Sequence, residues 1–299
     1  MKYTKPPLEI ENQIKLLESR GLEIPDKNRA LHYLSKISYY RLRAYMLPFQ
    51  SPDDTKHKFR TCTSFDDILN LYIFDRELRL LIFDAIERIE IAIRTQIIYQ
   101  YSIEYGFDFY CNKSLYHDKT IFEQTLESLM QEIDRSHEIF LKHFRTKYFE
   151  EKYPPSIMAL EVSSFGTLSK LFRNLKMCRA KKRVAQSFSV SPYILESWMQ
   201  STTYIRNIVA HHARLWNRKL TTRPTLLEYV PNDKVWLSSN DIPANKLYAF
   251  CACVMYLKKT INPGTSFGNS LKELVNRYPV VDVRQMGFPV NWEKEIIWK

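Results

Sequence analysis

Apolar side chains recur at three- and four-residue steps along most of the chain, which is the period of a helix with one buried face. From Ile68 to about Tyr105 there is neither proline nor glycine. This stretch predicts either one long helix or two helices with a bend. Ser64 and Asp67 precede it with the spacing of a capping box.

The same period predicts further helices on both sides of the long one. They cover residues 9–20, 27–36, 120–149, 156–176 (one or two helices), 179–188, 191–212, 245–260 and 271–277. The glycine count of 6 agrees with an all-α fold, because sheet hairpins use glycine at positive φ. Residues 48–62 are polar and rich in turn formers. They divide a predicted N-terminal helical module, residues 1–60, from a helical domain, residues 61–299. Trp292 and Trp298 predict that the C-terminal tail docks against the body.

The charge balance points to a polyanionic partner. Lys and Arg number 44 against 33 for Asp and Glu, a net charge of +11. Such an excess concentrates nucleic acid near the protein, although a basic surface that serves only solubility is the alternative. The five cysteines are scattered without a C-x-x-C pair, which predicts a reducing cytoplasm and no structural zinc. No apolar stretch approaches the roughly 20 residues that span a bilayer. We therefore expect a cytoplasmic protein with no membrane partner and no cofactor.

Arg206 and His211 form an Arg-x4-His motif near the end of a predicted helix. An arginine can hold a scissile phosphate bidentately, and a histidine titrates near neutrality and can transfer protons. The ribose 2′-hydroxyl can attack its own phosphate, so this pair would need no metal. The spacing alone is near chance, and the alternative is a helix C-terminus with His211 hydrogen-bonded in the core. At about 100° per residue the two side chains lie roughly 140° apart around the helix. A site that uses both must wrap the helix end or be completed by a second copy.

Three further groups are candidates for contacting RNA or for orienting Arg206. They are the acidic pair Glu87 and Glu90, the segment Tyr39, Tyr40, Arg41 and Arg43, and the basic run Lys181, Lys182 and Arg183. Each also has an ordinary structural interpretation. The acids would then form a surface ion network with Arg94, the tyrosines would belong to the core, and the basic run would be solvated.

Residues 204–218 (YIRNIVAHHARLWNR) resemble the signature of the Abi-like abortive-infection proteins of bacteria, the AbiD/AbiF group of the HEPN superfamily. The segments KPPL (5–8), LLESRGL (16–22), YL (33–34) and SYYRL (38–42) resemble the same family. So do FDRELR (74–79), AIERIE (85–90), PP (154–155) and SFG (164–166). The resemblance covers most of residues 5–220 and implies a HEPN-like helical bundle with an N-terminal helical extension.

The resemblance also implies a function in phage defence. It predicts a homodimeric, metal-independent endoribonuclease toxin that cleaves RNA by 2′-hydroxyl attack and leaves a 2′,3′-cyclic phosphate. Arg206 and His211 would be catalytic, with Asn207 and His212 in support. Arg214 and Arg218 would bind the RNA, and some relatives are associated with a small non-coding RNA. The alternatives are a non-catalytic protein that holds a structured small RNA, and a purely structural helical protein.

Overall fold

The computed structural model describes residues 2, 6–51, 55–228, 236–237 and 242–299. Within these residues the regular structure is helical, and the extended pairings are isolated bridges. The predicted all-α class is confirmed. The helices are α1 (Ile10–Ser19), α2 (Lys27–Ile37), α3 (Tyr39–Met46), α4 (Phe65–Tyr105), α5 (Lys119–Arg135), α6 (Ile139–Lys147), α7 (Ser156–Ala159), α8 (Phe165–Asn174), α9 (Arg179–Gln186), α10 (Pro192–Ala210), α11 (Leu247–Ile261) and α12 (Phe267–Arg277).

The long apolar pattern forms one continuous helix, α4, of 41 residues. Its start is a reciprocal capping box. The Asp67 carboxylate accepts from the Ser64 backbone N–H at 2.8 Å, and the Asp67 N–H donates to the Ser64 hydroxyl at 3.2 Å. Two otherwise unpaired donors are thereby satisfied, as the sequence predicted.

The single helix predicted over residues 120–149 is wrong, because α5 ends at Arg135 and α6 begins at Ile139. Ser136 has extended backbone angles, φ −75° and ψ 133°. Arg145 of α6 reaches back to the end of α5 and donates to the Ile133 carbonyl at 3.2 Å and to Asp134 at 2.8 Å. The turn is held by a side chain eleven or twelve residues away, so no local glycine or proline marks it.

The chain divides into two compact units. Unit 1 comprises Met1–Arg79 and Lys272–Val283, and unit 2 comprises Leu80–Leu271 and Arg284–Lys299. The division falls inside α4 and not at the predicted boundary between residues 60 and 61. The turn-rich segment belongs to unit 1, because Phe59 donates its N–H to the Arg20 carbonyl at 2.8 Å and pairs with Gln50.

Unit 1 contains a buried polar cluster between α3 and α4. The Tyr45 hydroxyl donates to the Asp75 carboxylate at 2.6 Å, and the Arg79 guanidinium forms an ion pair with the same carboxylate. Asp75 is 0% exposed and Arg79 5% exposed. Burial, followed by the charge of Asp75, raises the pKa of Tyr45 above its usual value. A buried charge is tolerated here because opposite charge and hydrogen bonds surround it.

In unit 2, α10 packs against α8, α9 and α11. Every residue of α11 from Leu247 to Lys258 is buried. The tail docks on this helix as predicted, since Trp292 and Trp298 are buried and the Trp298 indole N–H donates to the Tyr248 hydroxyl at 3.0 Å. No helix in the described part of the chain is both long enough and apolar enough to cross a membrane.

Candidate functional site

Helix α10 carries the Arg-x4-His motif at its C-terminal end. The helix begins as the sequence predicted, with Pro192 at its first position and the Ser191 hydroxyl accepting from the Ile194 N–H at 3.3 Å. Its inner face buries Trp198 and Ile205 in unit 2. This packing fixes the helix end that presents Arg206 and His211.

A Schellman turn ends α10 at the histidine pair. The His212 N–H donates to the Val209 carbonyl at 2.9 Å, and the Ala213 N–H donates to the Ile208 carbonyl at 3.0 Å. His212 adopts the left-handed conformation at φ 54°, where glycine is the usual residue. His211 and His212 are both exposed. The alternative interpretation, a histidine held in the core, therefore does not apply to His211.

Arg206 faces a different side of α10 and meets Glu90 of α4 within unit 2. The Arg206 Nε lies 3.7 Å from the Glu90 Oε1, which is too long for a hydrogen bond. The Arg206 side chain is 39% exposed, whereas that of Glu90 is 14% exposed. Glu90 Oε1 is buried and accepts no hydrogen bond from any described residue. The arginine is thus oriented by a carboxylate but remains open to a second anion.

Burial and the neighbouring arginines shift the pKa of Glu90 in opposite directions. Burial raises the pKa of its carboxyl, while the nearby charges of Arg206 and then Arg94 lower it, and Glu87 adds a smaller increase. Arg94 was expected to pair with Glu90 along the helix. Its Nη2 instead donates to the Ser163 carbonyl at 2.9 Å, next to the start of α8. Glu87 is exposed and lies one helical turn from Glu90.

The segment after the histidines is anchored in unit 2 by Leu215 and Trp216, both buried. Asn217 has φ 47°, donates to Gln285 at 2.9 Å and accepts from Lys246 at 3.0 Å. Arg218 Nε donates to the Arg214 carbonyl at 2.7 Å. The two predicted RNA-binding arginines are therefore half-exposed on a fixed loop beside the helix end.

The predicted basic run needs one correction, because Lys181 is buried and not available to contact RNA. Its side chain is buried, and the ammonium forms an ion pair with Glu196 at 2.8 Å and donates to the Leu175 carbonyl at 2.5 Å. Burial of a lysine requires such partners, and they occupy the groups that RNA would need. Lys182 and Arg183 are exposed on α9, so their contact with RNA stays a prediction.

The aromatic and basic segment of α3 lies in unit 1. Tyr39, Tyr40 and Arg43 line one cavity of about 520 Å³, together with Arg20, which donates to the Tyr39 hydroxyl at 2.8 Å. Tyr40 is 84% exposed, unlike a core tyrosine. Arg41 is separate from this cavity wall, because its guanidinium lies 5.9 Å from the centre of the Tyr72 ring.

Tyr204 and two cations of α8, Lys170 and Arg173, were not singled out from the sequence. They line one cavity between α8 and α10 in unit 2. The signal available in the sequence is a spacing of four and then three residues in Gly166, Lys170 and Arg173, which places all three on one face of a helix. The spacing does not identify the helix that packs against this face of α8.

In the described part of the chain, no cluster of three or more His, Cys, Asp or Glu side chains is arranged to hold a metal ion. The chemically distinctive arrangement is an exposed histidine at a helix end and a half-exposed arginine paired with a partly buried carboxylate. The fold and this arrangement together define a helical protein with an arginine and a histidine at the end of one helix.

A family model described as Abi-like protein matches residues 32–217, which include every helix from α3 to α10 and the whole Arg206–His211 motif. The match spans more than half of the chain, and the chain belongs to the Abi-like protein family. Membership indicates a function in abortive infection, a form of phage defence. Searches with the chain returned no matching curated protein and no matching solved structure.

Proposed function

We propose that the chain is a metal-independent endoribonuclease of the HEPN type that acts in phage defence, with Arg206 and His211 as its catalytic residues. The observation that carries this proposal is the pairing of Arg206 with the partly buried Glu90 on the helix whose C-terminal end presents the exposed His211. The match of this segment to the Abi-like family supports it.

The proposed reaction needs only groups that RNA and these side chains supply. The ribose 2′-oxygen attacks the adjacent phosphorus, the bond from phosphorus to the 5′-oxygen breaks, and a 2′,3′-cyclic phosphate forms. One histidine removes the proton from the 2′-hydroxyl, and a second gives a proton to the departing 5′-oxygen. Arg206 stabilises the negative charge that develops on the phosphate oxygens.

The other residues act around this pair. Glu90 orients Arg206 through their ion pair and is a positioning residue. Asn207 is exposed one helical turn before His211, and its carbonyl accepts the His211 backbone N–H at 3.1 Å. Asn207 and His212 assist His211, and Arg214 and Arg218 bind neighbouring phosphates. In unit 1, Tyr39, Tyr40 and Arg43 offer an aromatic and basic surface to RNA.

The active species is proposed to be a homodimer. A single chain offers one Arg206 and one His211 on different sides of a helix end, whereas the reaction uses one base and one acid. Two copies facing each other would supply a histidine for each task. Sedimentation of the active protein should give the mass of two chains, and an active monomer would contradict this part of the proposal.

Incubation of the purified full chain with a defined RNA in EDTA tests the reaction. We expect cleavage that leaves a 2′,3′-cyclic phosphate and a 5′-hydroxyl, and that stops when the nucleotide at the cut carries a 2′-deoxyribose. RNA that is retained but never cut would overturn the nuclease proposal in favour of the non-catalytic RNA-binding alternative.

A further inference from the structure

A cavity of about 290 Å³ lies between α8 and α10 in unit 2, beside the proposed catalytic helix end. One wall is α8, which contributes Gly166, Lys170 and Arg173, and the other is α10, which contributes Gln200, Thr203 and Tyr204. The volume lies just below the range of about 300–1,000 Å³ that is usual for small-ligand sites.

The charge of the cavity favours an anion. Lys170 and Arg173 are exposed and share one face of α8, and they are the two charged residues that line the cavity. The two helices approach closely at Gly166, where an added Cβ would meet the Thr203 methyl group at 3.5 Å. The two cations therefore line the cavity beside a point where α8 and α10 pack against each other.

The α10 wall leads toward the proposed catalytic histidine. Gln200, Tyr204, Asn207 and His211 follow one another at steps of four, three and four residues, which places them on one stripe of the helix. Tyr204 and His211 are seven residues apart, a rise of about 10 Å along the axis. A strand lying along this stripe would pass from the cavity to His211.

Tyr204 is held in place on this stripe from the loop that follows the helix. Burial alone would raise its pKa, but hydrogen bonds with Thr221 and Arg218 and the charge of Arg218 bring the pKa below its usual value. The phenol is thus fixed beside a guanidinium while its ring lines the cavity. Fixed aromatic rings next to cations are the elements with which proteins bind single-stranded nucleic acid.

We propose that the α8–α10 cavity is a binding subsite for the single-stranded RNA next to the scissile phosphate. In this subsite Lys170 and Arg173 contact backbone phosphates and Tyr204 stacks on a base. The assignment of the strand as substrate rests on the proposed nuclease function. The contacts themselves require only that RNA binds.

The test uses the full chain and a single-stranded RNA that is 2′-O-methylated throughout, so that it cannot be cut by the proposed reaction. The Lys170→Gln/Arg173→Gln variant is compared with Arg135→Gln/Lys142→Gln. The control also replaces one lysine and one arginine that are exposed in unit 2, and it lowers the net charge of +11 by the same two units. Fluorescence anisotropy gives the dissociation constant at several salt concentrations, and circular dichroism checks folding.

The slope of log K against log salt is negative, and the loss of two contacts to a single strand should reduce its magnitude by about 1.4 in the cavity variant. The control variant should keep the slope of the wild-type chain. Replacement of Tyr204 by leucine should weaken binding roughly five- to 150-fold through lost stacking. Equal slopes for the cavity and control variants, with both folded, would overturn the subsite.

Cleavage of unmodified RNA by the same proteins separates this proposal from the nuclease proposal. If the wild-type chain cuts RNA and the cavity variant binds and cuts RNA like the control, the subsite proposal is overturned and the nuclease proposal is retained. If the wild-type chain never cuts RNA but the salt slope of the cavity variant is smaller in magnitude, the cavity is supported as an RNA-binding site and the nuclease proposal is overturned.

Discussion

Among the carboxylates of helix α4 that pair with arginines, Asp75 in unit 1 and Glu90 in unit 2 form pairs that are built differently. In unit 1, Asp75 is fully buried, pairs with Arg79 of the same helix and accepts the Tyr45 hydroxyl at 2.6 Å. In unit 2, Glu90 is partly buried, stands 3.7 Å from Arg206 of another helix and leaves Oε1 without a hydrogen bond from the described residues. We call the Asp75–Arg79 pair closed, because its carboxylate is fully buried and hydrogen-bonded. We call the Glu90–Arg206 pair open, because its carboxylate leaves one oxygen without a hydrogen bond from the described residues.

The difference separates a pair that stabilises the fold from one that can bind a ligand. A buried carboxylate whose lone pairs are satisfied has little capacity for further partners, and removing any member leaves an uncompensated charge. The Arg206 side chain is 39% exposed and lies too far from Glu90 for a hydrogen bond. It can therefore bind a phosphate without first breaking a strong hydrogen bond. Both segments, FDRELR and AIERIE, contribute to the resemblance, so sequence similarity alone does not distinguish their tasks.

The largest expected effect is on stability, from Asp75→Ala in the closed pair. Loss of this carboxylate leaves the Arg79 guanidinium buried without its counter-charge and should lower the free energy of unfolding by about 3–5 kcal/mol. Glu123→Ala is the control, because Glu123 and its ion-pair partner Lys113 are both exposed, with side-chain exposures of 62% and 46%. The control should change stability by less than about 1 kcal/mol in urea unfolding. Equal effects of the two substitutions would remove the distinction between closed and exposed carboxylates.

In the open pair, Arg206→Gln should lower the single-turnover cleavage rate by about 10²–10³-fold, the usual cost of losing one donor to a developing oxyanion. The urea midpoint should fall less than that of Asp75→Ala, since the Arg206 side chain is half-exposed and Arg94 also lies near Glu90. Arg88→Gln on the exposed face of α4 serves as the control and should keep the wild-type rate. A variant at Arg206 that unfolds as readily as Asp75→Ala would mean that the open pair is structural.

The smallest expected effect concerns Glu90→Gln and is seen in the pH dependence of stability. Burial raises the pKa of Glu90 in the folded state. Between the unfolded and folded pKa values the folded chain therefore binds more protons, and wild-type stability falls as the pH rises through this window.

Glutamine does not titrate, so the stability of Glu90→Gln relative to wild type should grow as the pH rises from the ordinary carboxyl pKa and then level off. Urea unfolding at a series of mildly acidic pH values measures this difference. Glu87→Gln, an exposed neighbour on the same helix, is the control for the loss of one carboxylate charge. A relative stability of Glu90→Gln that falls with rising pH would contradict the assigned direction of the shift.

The sequence predicted the features that depend on local chemistry. The capping box of Ser64 and Asp67 and the Ser191–Pro192 start of α10 are confirmed because a few neighbouring residues determine them. The break between α5 and α6 was missed because Arg145, distant along the chain, holds it. The burial of Lys181 was missed because its partner Glu196 lies on another helix.

The same limit applies to the candidate site. The Arg-x4-His motif is visible in the sequence, but its spacing is near chance, and the pairing of Arg206 with Glu90 joins residues more than 100 positions apart. The cavity between Lys170 and Tyr204 likewise depends on how α8 packs against α10. Periodicity assigns residues to a helix face, whereas tertiary packing decides what that face meets.

The most direct test of the account is the single-turnover rate at which the His211→Ala chain cuts a defined RNA. Loss of general acid–base catalysis should slow cleavage by about 10²–10⁴-fold, with the unfolding midpoint unchanged because the side chain is exposed. His137→Ala, which removes another exposed histidine of unit 2, should cut at the wild-type rate. A folded His211→Ala chain that cleaves RNA as fast as the wild type would contradict the assignment of the site.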